Sequence, residues 1–299
     1  MKLRFSENSK VFTIHTDGIP YLSFDMLDEL GVPNLYSTRY ISWDAENGNG
    51  ITGLRTAIMK TEDPAEAAPV CRANRDALAR QLGSSLAMEI STDQKHTNYV
   101  HVASGEDLGV PPVGSVLHRQ FVDGVVTDIP DALLTAFGGD CPPVYIVDPV
   151  KKTAGLVHAG WKGTLGKIPQ VAVAQMVVKF GCDPSDMYAA IGPGVCKDCY
   201  EMGDEVYDAF AAQWSREDAD RILSRYPAKD GDGREIPGGK YHLDLREANR
   251  LTLLRAGIPE DHIAVSNVCT MCNVDKFYSY RGRRLENEQA AMLVNHWER

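Results

Sequence analysis

Apolar and polar residues alternate over residues 10–16 (KVFTIHT), the pattern of a strand with one buried face, and Asp17-Gly18 supplies its turn. Residues 41–64 are rich in Gly, Asn and Asp and follow no period, which predicts a long loop of a kind often tied to function. Helical spacing first shows over residues 74–82 (NRDALARQL), with Gly83 as the C-cap. From Leu86 to Val157 short apolar runs bounded by Pro and Gly predict a succession of strands. Helical spacing returns over residues 165–180, where Ile168, Val171, Ala172 and Met176 lie near one face, Pro169 falls in the first turn and Gly181 is the stop. Residues 187–191 read as a further strand, and residues 207–214 and 243–256 as helices, the second ending at Gly257. The apolar tail over residues 290–297 fits either element. Strands and helices mix without a regular βαβ rhythm, which predicts an α+β protein built as a layered sandwich.

The chain has 299 residues, 43% of them hydrophobic, enough for one large domain or two ordinary ones. A net charge of -10, with no basic run longer than Arg281-Gly282-Arg283-Arg284, argues against nucleic acid as a partner. The first residues, MKLRFSENSKVFTIHTDG, lack the apolar core of a signal peptide, and no apolar run has the length of a membrane span. A soluble cytoplasmic protein without a membrane partner is expected, and seven cysteines, an odd number, suggest no disulfide framework.

The candidate chemistry concentrates in DCPPVYIVDPVKKTAGLVHAGWKG, residues 140–163. Cys141 stands at the mouth of one apolar run (VYIV) and His158 at the end of the next (AGLV), so two strands side by side would bring thiol and imidazole to the same sheet edge. Cys and His are preferred zinc ligands, and His96 in Gln94-Lys95-His96, in another apparent strand, is a third candidate. Three ligands with an open fourth position describe a catalytic rather than a structural zinc. The same residues read equally as a satisfied rim histidine and a small buried hydrophobe, or as a Cys141 nucleophile with His158 as its base. Asp140 either orients a neighbour by hydrogen bonding or performs acid/base work beside the metal. The segment 160–167 is not a P-loop, because the spacing before Gly166-Lys167 is wrong and Ile168 replaces the required Ser or Thr. Cys196-x-x-Cys199 and Cys269-x-x-Cys272 form the pattern of a structural zinc held by four thiolates, although each pair can also be inert. His101, His118, His242 and His262 read as structural or exposed.

Several of these residues fall in motifs that run in order through nearly the whole chain: Ser37-Thr38-Arg39, Asn74-Arg75, Gln94-x-His96, Asp131-Ala132-Leu133-Leu134-Thr135, Asp140-Cys141-Pro142-Pro143, His158-Ala159-Gly160-Trp161-Lys162-Gly163, Ile191-Gly192-Pro193, Cys199-Tyr200-Glu201, His242-Leu243-Asp244-Leu245, Cys269-Thr270 and Phe277-Tyr278-Ser279-Tyr280-Arg281. In this order they resemble the family once labelled multicopper polyphenol oxidase or laccase domain, now regarded as purine nucleoside phosphorylases. The resemblance implies a single domain over residues 1–299, an α/β/β/α-type sandwich with no nicotinamide or nucleotide cofactor. It implies one catalytic Zn2+ on His96, Cys141 and His158. It also implies phosphorolysis of adenosine, inosine and 5'-methylthioadenosine by inorganic phosphate, with adenosine deamination beside it. It places the Ser37-Thr38-Arg39 motif at the substrate site. By their own chemistry Arg39 and Arg281 either grip phosphate bidentately or stand as surface charges, and Lys162, directly after the His158 turn, can meet the same anion as a point charge. It accounts for Cys199 and Cys269 but not for Cys196 and Cys272, and implies no second metal. Thr97 stands where the family usually has Gly, and Lys162 where it usually has Arg.

Three rival functions fit parts of the pattern. A copper oxidase would use a site of two His and one Cys, but the eight histidines are scattered and include no His-x-His pair. A cysteine hydrolase would use Cys141 and His158. A zinc-stapled interaction protein would rest on the CxxC pairs alone.

Overall fold

The protein is described by a computed structural model over residues 11–40, 64–110, 121–229, 231–282 and 288–297. The loop expected over residues 41–64 lies, except for Pro64, outside these residues, as does His118. The strands are β1 (Phe12–His15), β2 (Tyr21–Phe24), β3 (Asn34–Ser37), β4 (Glu89–Ser91), β5 (Val100–Val102), β6 (Gly124–Thr127), β7 (Leu133–Gly138), β8 (Pro143–Asp148), β9 (Thr153–His158), β10 (Tyr188–Ile191), β11 (Glu201–Met202), β12 (Leu223–Tyr226), β13 (Lys240–Leu243), β14 (Ile263–Val265) and β15 (Gln289–Val294). The helices are α1 (Asp25–Glu29), α2 (Pro64–Gln81), α3 (Trp161–Leu165), α4 (Ile168–Phe180), α5 (Asp204–Gln213), α6 (Arg216–Ile222) and α7 (Leu245–Arg255). One sheet has the order β1-β2-β3-β15-β7-β4 and a second β14-β10-β8-β9-β6-β5.

The continuous apolar runs are explained by burial on both faces. Along β8, Tyr145 and Val147 point into the core between the two sheets, while Val144 and Ile146 point outward beneath α4 and α7. Along β7, Leu134 and Ala136 enter the inter-sheet core, and Leu133 and Phe137 join Leu78 and Ala79 of α2 on the opposite side. The period of two is present, but both phases are apolar because both faces are covered. The resulting layers are α2, first sheet, second sheet, then α4 with α7, an α/β/β/α sandwich. The Tyr145 hydroxyl donates to the Leu35 carbonyl at 2.7 Å, tying the two sheets across the core. A third small sheet, β11-β13-β12, packs with α5 and α6 around Phe210, Ile222 and Leu243.

Four local expectations change. The helix expected over 74–82 is the end of α2, which starts at Pro64; Pro69 and the absence of an apolar period before it conceal the start. The helix expected over 165–180 is divided into α3 and α4 by Lys167, whose backbone is left-handed at φ 58°. The tail is a strand, since Ala291 and Leu293 serve the inter-sheet core while Ala290 and Met292 serve the α2 side. His96 is not in a strand but in the irregular segment after β4. No helix among the described residues is long and apolar enough to cross a membrane.

Candidate metal centre and its cavity

In the second sheet β9 lies between β6 and β8 and runs antiparallel to both. The residue before β6 (Asp123), the end of β9 (His158) and the residues just before β8 (Cys141) therefore reach the same edge. Pro143 pairs with His158, and the Ala159 amide donates to the Pro142 carbonyl at 3.0 Å, so thiol and imidazole meet by register. His96 comes from outside the strand ladder, on the loop after β4, with a left-handed φ of 61°. The donor atoms of His96, Cys141 and His158 lie within 4.8 Å of one another. Cys141 Sγ is 3.8 Å from His96 Nε2, and the two imidazole rings meet edge to face with centroids 4.9 Å apart.

Asp123 holds two of these three groups. Its Oδ1 accepts from the His96 amide at 2.9 Å and faces His158 Nδ1 at 2.9 Å. Its Oδ2 accepts from the Lys95 amide at 3.1 Å, the Thr97 amide at 2.7 Å and the Thr97 hydroxyl at 2.8 Å. A carboxylate can only accept, so a proton sits on His158 Nδ1 and leaves Nε2 with its lone pair for a metal. Those amide bonds also hold His96 in a backbone conformation that a His rarely adopts. Thr97 gives Asp123 its hydroxyl as well as its amide. Gly160 leaves the space these groups need: a Cβ there would lie 2.7 Å from His96 Cδ2 and 2.9 Å from Cys141 Sγ.

The charges follow from this geometry. Burial works to raise the Asp123 carboxyl, but the His158 contact and the Thr97 and Lys95 amides bring it down to about 2. Burial works to lower His158, and the facing Cys141 and Asp123 raise it to about 10. Burial works to raise the Cys141 thiol, and His158 with His96 lowers it to about 7. Metal-free, the site favours a thiolate beside an imidazolium.

The three groups open into a cavity of about 440 Å³ whose walls include Lys95, Asp140, Trp161, Lys162, Tyr200, Tyr280, Arg281 and Glu288. Asp140 is 4% exposed, and its carboxylate accepts from the Thr270 hydroxyl at 2.5 Å, the Ser279 hydroxyl at 2.7 Å and the Arg281 amide at 2.6 Å. Burial raises its pKa in spite of these bonds. It thus fixes the turn that brings Tyr280 and Arg281 to the cavity wall. The Arg281 guanidinium lies 4.9 Å from the Tyr200 ring centroid, and Lys162 Nζ lies 5.6 Å from that of Trp161. Arg39 is placed differently: it is buried, its Nη1 donates to the Val274 carbonyl at 2.9 Å, and its guanidinium lies 5.4 Å and 5.3 Å from the rings of Tyr40 and Tyr278. It does not line the cavity.

The two CxxC segments also converge, with the Sγ atoms of Cys196, Cys199, Cys269 and Cys272 within 4.8 Å of one another. His242 and His262 face the Lys197 and Met187 carbonyls at 3.0 Å, and His101 faces Asp107 at 3.0 Å. Sequence reasoning missed Asp123 and Glu288. Asp123 had a signal: it opens the apolar run GVVT as Cys141 opens VYIV, a polar residue at the same kind of strand mouth.

Residues 58–294 match the family described as multi-copper polyphenol oxidoreductase laccase. The purine nucleoside phosphorylase YlmD of Bacillus subtilis is 35% identical over 208 residues, 70% of each chain. Adenosine deaminase RL5, from an unknown prokaryotic organism, is 34% identical over 205 residues, 68% of this chain and 73% of its own. The crystal structure of YlmD from Geobacillus stearothermophilus superposes with a TM-score of 0.79 at 29% identity, covering 97% of this chain and 100% of the other. The same sandwich and a matched span that reaches from before α2 to the end of β15 lead to one assignment: the chain belongs to the multi-copper polyphenol oxidoreductase laccase family.

Proposed function

We propose that this protein is a zinc-dependent purine nucleoside phosphorylase acting on adenosine, inosine and 5'-methylthioadenosine, with adenosine deamination as a companion reaction. The observation that carries the reading is the convergence of two imidazoles and one thiol in the lining of a cavity that also has aromatic and cationic walls. The names of the YlmD and RL5 relatives supply the two reactions.

The donor set fits zinc. Nitrogen and sulfur donors suit a borderline-soft ion, three protein ligands leave a position for substrate or water, and the Asp123 contact gives His158 the right tautomer. Zinc bound there supplies a Lewis acid that polarises a substrate oxygen or a water molecule. The volume is that of a small-molecule site. Trp161, Tyr200 and Tyr280 offer flat apolar surface to a purine, and Glu288 offers a carboxylate to ribose hydroxyls. Lys162 and Arg281 provide cationic groups for phosphate. We assign Asp140 to positioning, because its carboxylate is already engaged by three donors from residues 270–281. In phosphorolysis, phosphate displaces the purine from the ribose carbon, giving free base and ribose 1-phosphate. In deamination, water replaces the amino group of adenosine and ammonia leaves. None of the seven cysteines is joined in a disulfide, in keeping with a reducing cytoplasmic setting.

A multicopper oxidase would need further imidazole-rich sites to pass electrons on. Among the described residues, the other converging cluster holds only cysteines. A second reading has one observation in its favour: Asp123, His158 and Cys141 form a row that would also suit a cysteine hydrolase. Incubation of the metal-loaded protein with each nucleoside, with and without phosphate, tests the proposal by chromatography. Adenine and ribose 1-phosphate should form from adenosine only when phosphate is present, and inosine should form in either case. Equal release of base without phosphate, or turnover that survives chelation, overturns the proposal.

A further inference from the structure

We infer that Cys196, Cys199, Cys269 and Cys272 hold a second zinc ion, a closed four-thiolate site that staples the segment before β11 to the segment carrying Thr270. The sulfurs converge as a set rather than as pairs. Cys199 and Cys272, from different CxxC segments, place their Sγ atoms 3.6 Å apart. A disulfide requires about 2.05 Å. A tetrahedron with zinc–sulfur bonds of about 2.3 Å has sulfur–sulfur edges of about 3.8 Å. The Cys199–Cys272 spacing is close to such an edge and far from a disulfide, and all four sulfurs lie within 4.8 Å of one another.

The main chain is arranged to receive thiolate charge. The Cys196 amide donates to Cys269 Sγ at 3.2 Å, and the Cys272 amide to the same sulfur at 3.4 Å. Such N–H groups lower the charge that four sulfurs place on one cation. Binding needs no oxidant: four thiols release four protons and one zinc ion takes their place. The site has no carboxylate or imidazole among its donors and leaves no open position, so its role is structural.

The surrounding fold shows what the staple would hold. The two segments touch through the isolated bridge between Gly194 and Cys269, and the Thr270 amide donates to the Gly194 carbonyl at 3.2 Å. Cys199 is followed by Tyr200, a cavity wall, and Cys269 by Thr270, which donates to Asp140. The ion would therefore brace the substrate side of the cavity without entering it. The inference is independent of the proposed enzymatic activity.

Metal content of the full chain, purified without chelator or added metal, tests it. Wild type should carry about two zinc ions, and Cys141→Ala and the double variant Cys196→Ser/Cys272→Ser about one each. One zinc in wild type with none in Cys141→Ala overturns the site. Because the double variant can fail to fold, cobalt(II)-loaded wild type and Cys141→Ala give a second readout. With five thiolates shared between two sites, Cys141→Ala should keep about four-fifths of the thiolate-to-cobalt absorption. Loss of all of it overturns the proposal, as does finding these cysteines as two disulfides when the denatured, unreduced protein is alkylated and weighed.

Discussion

Asp123→Asn changes one oxygen to an amide nitrogen and keeps the side-chain shape, yet it should damage the metal centre severely. The two carboxylate oxygens divide five donors between them: Oδ1 faces the His96 amide and His158 Nδ1, and Oδ2 faces the amides of Lys95 and Thr97 and the Thr97 hydroxyl. An asparagine has one acceptor oxygen, so whichever way it turns, its NH2 group meets at least two N–H donors. If the nitrogen takes the Oδ1 position, His158 can relieve the clash only by moving its proton to Nε2, which removes the lone pair that a metal needs. If it takes the Oδ2 position, the Lys95 and Thr97 amides are left without an acceptor. Each lost bond to a buried charge costs about 1.5–3 kcal/mol, so a loss of two predicts a stability loss of about 3–6 kcal/mol. Metal affinity should fall about 10–100-fold, the usual effect of removing a ligand's hydrogen-bond partner.

The pH dependence gives the same prediction an independent check. The Asp123 carboxyl is lowered in the folded protein to about 2. A lowered carboxyl contributes stability above its ordinary pKa and loses it as pH falls through the folded value. For metal-free wild type the loss should run from about pH 4 to about pH 2 and amount to roughly 2–3 kcal/mol. Asp123→Asn should lack that component. Competition with a chromogenic chelator measures metal affinity, and urea unfolding at several pH values measures stability. An Asp123→Asn protein with affinity within about twofold of wild type and the same acid response would refute the argument.

Two further outcomes follow from packing. Gly160→Ala would set a Cβ 2.7 Å from His96 Cδ2 and 2.9 Å from Cys141 Sγ, so metal affinity should drop at least about tenfold while far-UV circular dichroism stays native; unchanged affinity would mean that the ligands do not need this space. Arg39→Ala should cost about 2–4 kcal/mol through the stranded Val274 carbonyl and two lost ring contacts, and phosphorolysis and deamination should fall together; a selective rise in KM for phosphate would restore the phosphate contact expected from its motif.

Parts of this site were legible in the sequence because they lie on strands. Cys141 and His158 bracket apolar runs, and once β8 and β9 pair in antiparallel register the distance between thiol and imidazole is settled. The layered sandwich was legible for the same reason, since buried strands show as unbroken apolar runs. Loops are less readable. His96 sits in a left-handed backbone imposed by a residue 27 positions away, and no local pattern encodes that pairing. Lys167 breaks a continuous helical period with a left-handed residue that carries no Gly or Asn signature. Arg39 packs in a way its motif does not encode: its Nη1 donates to the Val274 carbonyl and its guanidinium lies against Tyr278, contacts set by a segment more than 230 residues away.

The cavity is framed by irregular segments, and two buried aspartates explain how such segments can be held still. The amides of Lys95, His96, Thr97 and Arg281 point at carboxylates rather than at strand partners, and an amide withdrawn from water without an acceptor is costly. An apolar side chain could fill the space but could not satisfy those groups. One carboxylate can accept several donors at once, so Asp123 gathers the segment carrying His96 while Asp140 gathers the segment carrying Arg281. Asp123 directly precedes β6 of the second sheet, and Asp140 lies in the short connection from β7 of the first sheet to β8 of the second, so both tethers are anchored to the strand framework. The two tethers share no donor. Damage at Asp123 should therefore appear first in metal binding, and damage at Asp140 first in the placement of Tyr280 and Arg281.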